Sequence, residues 1–135
     1  MRRNLTAKQV EGNLRYQPFS EDVFIQDLAS CRGVVAGGGF TLMGEAVYMH
    51  KPMLAVPLGL QFEQVLNGRY LAREGFGATA DALDDPAVVR GFVDKLDVYS
   101  AKLASYEQNG NEELYGAMDE VLDKAEAGVL DQTVI

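Results

Sequence analysis

Three stretches of this sequence hold residue types that could do chemistry. The first, VVAGGGFTLMGEA, runs from Val34 to Ala46 and places three consecutive glycines between a β-branched run and a short apolar helix. Glycines at 37, 38 and 39 let the backbone turn sharply and remove every Cβ that would hold a ligand away. The helix expected to begin near Thr41 directs its free N–H groups and positive dipole end at the same place. That combination suits an anion, above all a phosphate. Two named phosphate motifs do not fit: Leu42 stands where the dinucleotide fingerprint needs its third glycine, and no Gly-Lys-Ser/Thr is present. A tight strand-to-helix turn without a ligand would use the same glycines.

Glu45 follows about one helical turn inside that helix. A carboxylate accepts two hydrogen bonds well, and vicinal ribose hydroxyls are a matching partner. A solvated glutamate favoured by the helix dipole is the alternative. The third stretch, PLGLQFEQVLN, sets Glu63 beside Gln64 at a helix opening, with Asn67 one turn on. An acid next to an amide supplies both acceptors and donors for sugar hydroxyls; capping residues on a polar helix end would look alike. His50, the one histidine, sits in a His-Lys-Pro turn and reads as a surface residue. No Asp/Glu cluster has metal spacing, and no metal is expected.

Composition limits what those groups can serve. A length of 135 residues allows one domain with a proper core, and 47% apolar with 24% charged residues is ordinary for a globular chain. The net charge of −8 argues against nucleic acid as a partner, since neutralising a phosphate backbone needs a basic face. A nucleotide held by a few backbone N–H groups is still compatible. Cys31 is the only cysteine, so neither an intrachain disulfide nor a cysteine zinc site can form, which suits a reducing cytoplasm. No apolar run reaches the ~18 residues of a membrane span, and the basic start MRRNLTAKQVEGN lacks the apolar core of a secretory signal.

These residues need a scaffold, and the hydrophobic pattern alternates along the chain. Asn13–Tyr16 reads as a strand. A helix follows from Ser20 as N-cap, with Val23, Phe24, Leu28 and Cys31 at helical spacing. Gly33–Ala36 reads as a strand, Thr41–Met49 as a helix, and Met53–Val56 as a strand buried on both faces. A third helix carries Phe62, Val65, Leu66, Tyr70 and Leu71 to a stop at Gly75, and Ala78–Ala80 forms a last strand. Asp84-Asp85-Pro86 starts a helix running to about Glu107, Asn109-Gly110-Asn111 breaks it, and a final helix carries Leu114, Met118, Val121, Leu122 and Ala125 before a frayed end. The expectation is α/β: one domain over 1–135, with a Rossmann-like three-layer parallel sheet of about four strands over 13–80 and two helices over 84–127. Parallel strands would bring Gln17–Ser20, Gly37–Phe40 and Pro57–Gln64 to one sheet edge, where open α/β sheets bind ligands.

In this order and spacing, Tyr16-Gln17-Pro18, GGGFTLMGEA and KPMLAVPLGLQFEQVLNGRYL resemble the donor-binding half of GT-B nucleotide-sugar glycosyltransferases. Enzymes like the UDP-glucuronosyltransferases and the N-acetylglucosaminyltransferase that makes lipid II are the nearest in pattern, over about Asn13 to Gly77. The resemblance implies that Tyr16 and Phe19 hold the uracil ring, Gly38 and Gly39 lie beside the diphosphate with Gly37 before them, and Glu45 takes the ribose hydroxyls. Glu63 and Gln64 match the pair holding the donor sugar, and Asn67 the asparagine that follows. Two positions depart: Gly37 stands where the family often has His or Arg, and Leu42 where it has Ser or Thr, with Thr41 adjacent.

By that resemblance the donor is a UDP-sugar, no cofactor is needed, and backbone N–H groups rather than a metal stabilise the departing UDP. The acceptor-binding half and its general base lie outside the pattern, so a fragment, or a half working with a partner chain, is expected. The expectation is the UDP-sugar-binding part of an inverting, hexosyl-transferring glycosyltransferase, cytoplasmic and brought to the inner membrane surface through the full-length enzyme. Self-association through an exposed sheet edge is expected too. The rival reading is a non-catalytic interaction module that keeps the fold without the ligand; a sugar-nucleotide epimerase is a weaker third.

Overall fold

The structure is a computed structural model and describes residues 5–128. Prolines at 52 and 57 bracket an apolar run, and Met53–Ala55 within it forms a strand, β4, buried at all three positions. Two further strands, β3 (Val34–Ala36) and β5 (Gly77–Thr79), pair with it in parallel to give the order β3-β4-β5. The register sets Val34 against Met53 and Met53 against Gly77. Side chains alternate across a strand, so β4 feeds two cores. Met53 and Ala55 pack with Leu28, Met43, Ala46 and Leu71, which come from α1 (Glu21–Ser30), α2 (Phe40–Tyr48) and α3 (Phe62–Glu74). Leu54 packs on the other face with Phe92 of α4 (Pro86–Val93) and Leu96 of α5 (Leu96–Leu103). Helices on both faces of a parallel sheet make the three-layer α/β arrangement expected from the sequence.

Local chemistry sets the element ends. Gly75 closes α3 in the left-handed conformation (φ 76°), with Gly75 N–H donating to the Ala72 carbonyl and Phe76 N–H to that of Leu71. This double bond pattern satisfies the last carbonyls of the helix. At the start of α4, the Asp85 carboxylate accepts from Ala87 N–H at 2.8 Å, with Pro86 in the first turn. Ser20 occupies the N-cap of α1, but through its backbone: its side chain makes no capping bond. Gly77 is needed for space, because a Cβ there would run into the Met53 carbonyl on β4.

Two expectations change. The strand expected at Asn13–Tyr16 is present as β2 (Leu14–Tyr16), but it pairs antiparallel with β1 (Gln9–Glu11) in a two-stranded ribbon of its own. The parallel sheet therefore has three strands among the described residues, not about four. The cause is local: Gly12, in the left-handed region at φ 59°, and Asn13 form a two-residue hairpin turn, which closes more readily than a crossover. Second, the helix expected from Asp84 to Glu107 is two helices. Lys95 N–H turns back to the Phe92 carbonyl three residues away, and the Lys95 carbonyl then receives Val98 and Tyr99 N–H to begin α5. Phe92 and Leu96 share the Leu54 core across that break, and Phe92 stacks on Tyr99 at 5.9 Å between ring centroids.

By its contacts the chain divides into two compact units, Met1–Ser105 and Tyr106–Ile135. In the second, Asn109-Gly110-Asn111 makes the expected break, with Gly110 and Asn111 both left-handed, and α6 (Glu112–Glu126) follows with no buried residue. The frayed end expected from the sequence falls at residues 129–135, outside those described.

Since β4 supports both cores, Leu54→Ala is expected to lower stability by about 2–5 kcal/mol in urea denaturation, through lost burial plus a cavity. Gly77→Ala should be at least as damaging, although it removes no contact. An unchanged urea midpoint for either variant would contradict this account of the sheet.

Candidate functional site

Parallel pairing sends β3 and β4 out of the sheet on the same edge, and the chemistry expected from the sequence collects there. β3 runs directly into Gly37, Gly38 and Gly39. Gly38 is buried and left-handed at φ 83°, where a side chain is strained, and a Cβ there would stand 3.1 Å from the Gln64 carbonyl oxygen of α3. Asn67, one turn further along α3, donates its Nδ2 to the Gly38 carbonyl at 3.2 Å. The triple-glycine turn and the start of α3 are thus in direct contact, although 29 residues separate the bonded pair.

The loop after β4 is tied to the same place. Gln64 Oε1 accepts the backbone N–H of Leu58 at 2.9 Å, and a Cβ on Gly37 would lie 3.2 Å from that oxygen and 3.8 Å from Leu58 Cγ. With its carbonyl engaged, Gln64 has its amide NH₂ to offer as donor. Glu63, its neighbour, is exposed in the first turn of α3, where the helix dipole favours a carboxylate. Leu60, left-handed at φ 65° and fully exposed, marks the tip of this loop, with Phe62 and Phe40 exposed at the starts of α3 and α2.

Gly39 is the N-cap of α2 and supplies no side chain, so the first N–H groups of that helix have no side-chain cap. A Cβ on Gly39 would meet nothing within 4 Å, so the space in front of the turn is open. The helix divides its faces cleanly. Met43 and Ala46 are buried and Leu42 packs on the core beneath β4 and β3, whereas Thr41 is exposed and Glu45, four residues on, is half-buried. Leu42 is therefore a core residue, and the hydroxyl on the open side is that of Thr41. The Glu45 side chain makes no hydrogen bond or ion pair among the described residues.

The structure brings together Gly37, Gly38, Gly39, Gln64 and Asn67, with Thr41, Glu45 and Glu63 carried on the two helices that leave this edge. It does not bring Tyr16 and Phe19 there by the expected route, because β2 lies outside the parallel sheet. Tyr16 ends β2, and Phe19, 91% exposed, lines a hollow of about 170 Å³ with Gln17, Ser20, Val23 and Asp27. Gln17 lies in a loop expected at this edge, but no role for its side chain is expected from the sequence. Its Nε2 donates to Asp27 Oδ2 at 2.8 Å, while its Oε1 is buried without a partner among the described residues. Only the Gln-Pro pair closing the strand could have pointed to it. His50 is exposed, as expected, and left-handed at φ 55°.

Comparison with known proteins agrees with the fold. Residues 1–97 match glycosyl transferase family 1. The UDP-N-acetylglucosamine–N-acetylmuramyl-(pentapeptide) pyrophosphoryl-undecaprenol N-acetylglucosamine transferase 1 of Bacillus thuringiensis is 29% identical over 106 residues, covering 76% of this chain and 29% of that protein. Transferase 3 of the same description, from Bacillus cereus, is 28% identical over the same shares. The chain thus spans under a third of the length of these relatives. Among solved structures, the spinosyn forosaminyltransferase SpnP aligns with a TM-score of 0.60 at 20% identity, over 91% of this chain and 33% of that one. The glycotransferase of kitacinnamycin aligns with a TM-score of 0.53 at 21% identity, over 59% of this chain and 21% of that one. Both are GT-B glycosyltransferases, and the chain shares part of their fold. With the family match spanning most of its length, the chain belongs to glycosyl transferase family 1.

Proposed function

We propose that this chain is the donor-binding part of a glycosyltransferase and holds a UDP-sugar at the carboxyl edge of its parallel sheet. The observation that carries the reading is the direct contact between the glycine turn and α3, which sets an open helix N-terminus beside an acid–amide pair. The diphosphate lies against the N–H groups at Gly38, Gly39 and the first turn of α2, with the Thr41 hydroxyl alongside. Glu45 takes the ribose hydroxyls; that its side chain has no partner among the described residues supports that role. Glu63 accepts from one sugar hydroxyl and the Gln64 amide donates to another, a division enforced by the Leu58 N–H already bonded to Gln64 Oε1. Tyr16 and Phe19 hold the base from the segment at the end of β2, which lies outside the parallel sheet, rather than from a strand of that sheet.

In the transfer, an acceptor hydroxyl attacks the anomeric carbon of the donor sugar. A bond forms to the acceptor oxygen, the bond to the diphosphate oxygen breaks, and the configuration inverts. Negative charge collects on the departing UDP, where preorganised N–H groups and the α2 dipole stabilise it without reorganisation. The acceptor site and the base that removes the hydroxyl proton belong to the remainder of a longer protein or to a partner chain, and no metal is required. The names of the Bacillus relatives point to UDP-N-acetylglucosamine as the first donor to try. A cytoplasmic enzyme meeting a lipid-linked acceptor at the inner membrane surface fits this reading; among the described residues, no helix is long and apolar enough to cross a membrane.

Calorimetric titration of the chain with UDP is expected to show binding, and Glu45→Ala to weaken it about tenfold, the effect of losing a charged hydrogen-bond acceptor. No binding at millimolar UDP, or equal binding by the variant, would refute the reading. Glu63→Ala is expected to weaken UDP-N-acetylglucosamine several-fold, roughly one hydrogen bond's worth, and to leave UDP unaffected; equal losses for both ligands would remove Glu63 from the sugar site. The outer edges of β3 and β5 also favour self-association. Light scattering at high micromolar concentration is expected to find a dimer or larger species, and a strict monomer would dismiss that expectation.

A further inference from the structure

We propose that Asn67 is a positioning residue: it does not touch the donor, but holds the Gly38–Gly39 peptide so that the Gly39 N–H faces the diphosphate. The inference rests on the donor-binding reading above and gives Asn67 a role other than direct contact with the donor.

The geometry is specific. Gly38 is left-handed and buried, and the Asn67 amide reaches its carbonyl from α3 at 3.2 Å. A trans peptide is planar, with its carbonyl and the following N–H pointing in opposite directions. Drawing the Gly38 carbonyl toward α3 therefore turns the Gly39 N–H away from α3. A Cβ on Gly39 would meet no atom within 4 Å, so there is open space at this residue. The opposite orientation of this peptide would aim the carbonyl oxygen at the space an anion must occupy. A glycine is free to adopt either orientation, so the selection falls to the groups around it. Asn67 supplies the donor that makes one orientation favourable. The Gln64 carbonyl, 3.1 Å from the Cβ position of Gly38, limits movement of the turn from the same side. Asn67 is half-buried, and one of its amide protons is already committed to Gly38.

Asn67→Asp tests this with almost no change in shape, replacing the donor by an acceptor, and Asn67→Ala removes the group without adding charge. In ¹⁵N NMR of the ligand-free full chain, both variants are expected to move the Gly39 amide resonance, while amides of β4 and β5 stay in place and report an intact fold. Both should weaken UDP and UDP-N-acetylglucosamine by the same factor, about five- to tenfold for one hydrogen bond. A loss confined to UDP-N-acetylglucosamine would make Asn67 a sugar ligand and overturn the proposal, as would unchanged affinity for both. If the wild-type chain binds no UDP, the donor-binding reading fails on that count alone. The Gly39 amide then still decides whether Asn67 holds the peptide, and an unmoved resonance in both variants overturns it.

Discussion

The exclusion of water from both faces of a three-residue strand is the constraint on which this fold rests. Met53, Leu54 and Ala55 are 0%, 1% and 0% exposed, so helices must cover β4 above and below. Pairing satisfies its backbone groups with β3 on one side and β5 on the other. Both neighbours run parallel to it, so every exit from the sheet is on one edge and each return must cross a face. The candidate site is a by-product of that geometry: the glycine turn, the Pro57–Gln61 loop and the starts of α2 and α3 have nowhere else to go.

What turns an edge into a site is a small set of side-chain-to-backbone bonds. Gln64 holds the loop after β4 through Leu58 N–H, and Asn67 holds the turn after β3 through the Gly38 carbonyl, both from the first two turns of α3. Such bonds are modest individually, about 1 kcal/mol each. Their importance lies in direction, since they decide which way neighbouring N–H groups point. The side chains facing outward remain uncommitted. Glu45 is half-buried on the open face of a helix whose opposite face is sealed by Met43 and Ala46.

The elements that build the sheet were legible in the sequence because their signals are local. A doubly bracketed apolar run marked β4, Gly75 marked the end of α3, and Asp85-Pro86 marked the start of α4. The three glycines and the Glu63-Gln64 pair were legible as chemistry, and their meeting followed from parallel order. The hairpin at Gly12-Asn13 was overlooked in favour of alternation along the chain, which misassigned β2 and with it the route by which Tyr16 and Phe19 would reach the edge. The break between α4 and α5 has no proline or glycine at Asp94-Lys95 and arises from packing around Leu54. The Asn67 bond to Gly38 spans 29 residues, and no local rule could have found it.

The division between buried strands and outward turns has a consequence for how such a domain can diverge. Thr41 and Glu63 are exposed and Glu45 is half-buried outside the apolar core, so exchanging them leaves the scaffold intact. Gly38, Gly77 and Leu54 have no such freedom: one is confined by torsion, one by a neighbouring carbonyl and one by its surroundings. Substitutions can therefore accumulate at the first set without loss of the fold, and the second should stay fixed throughout.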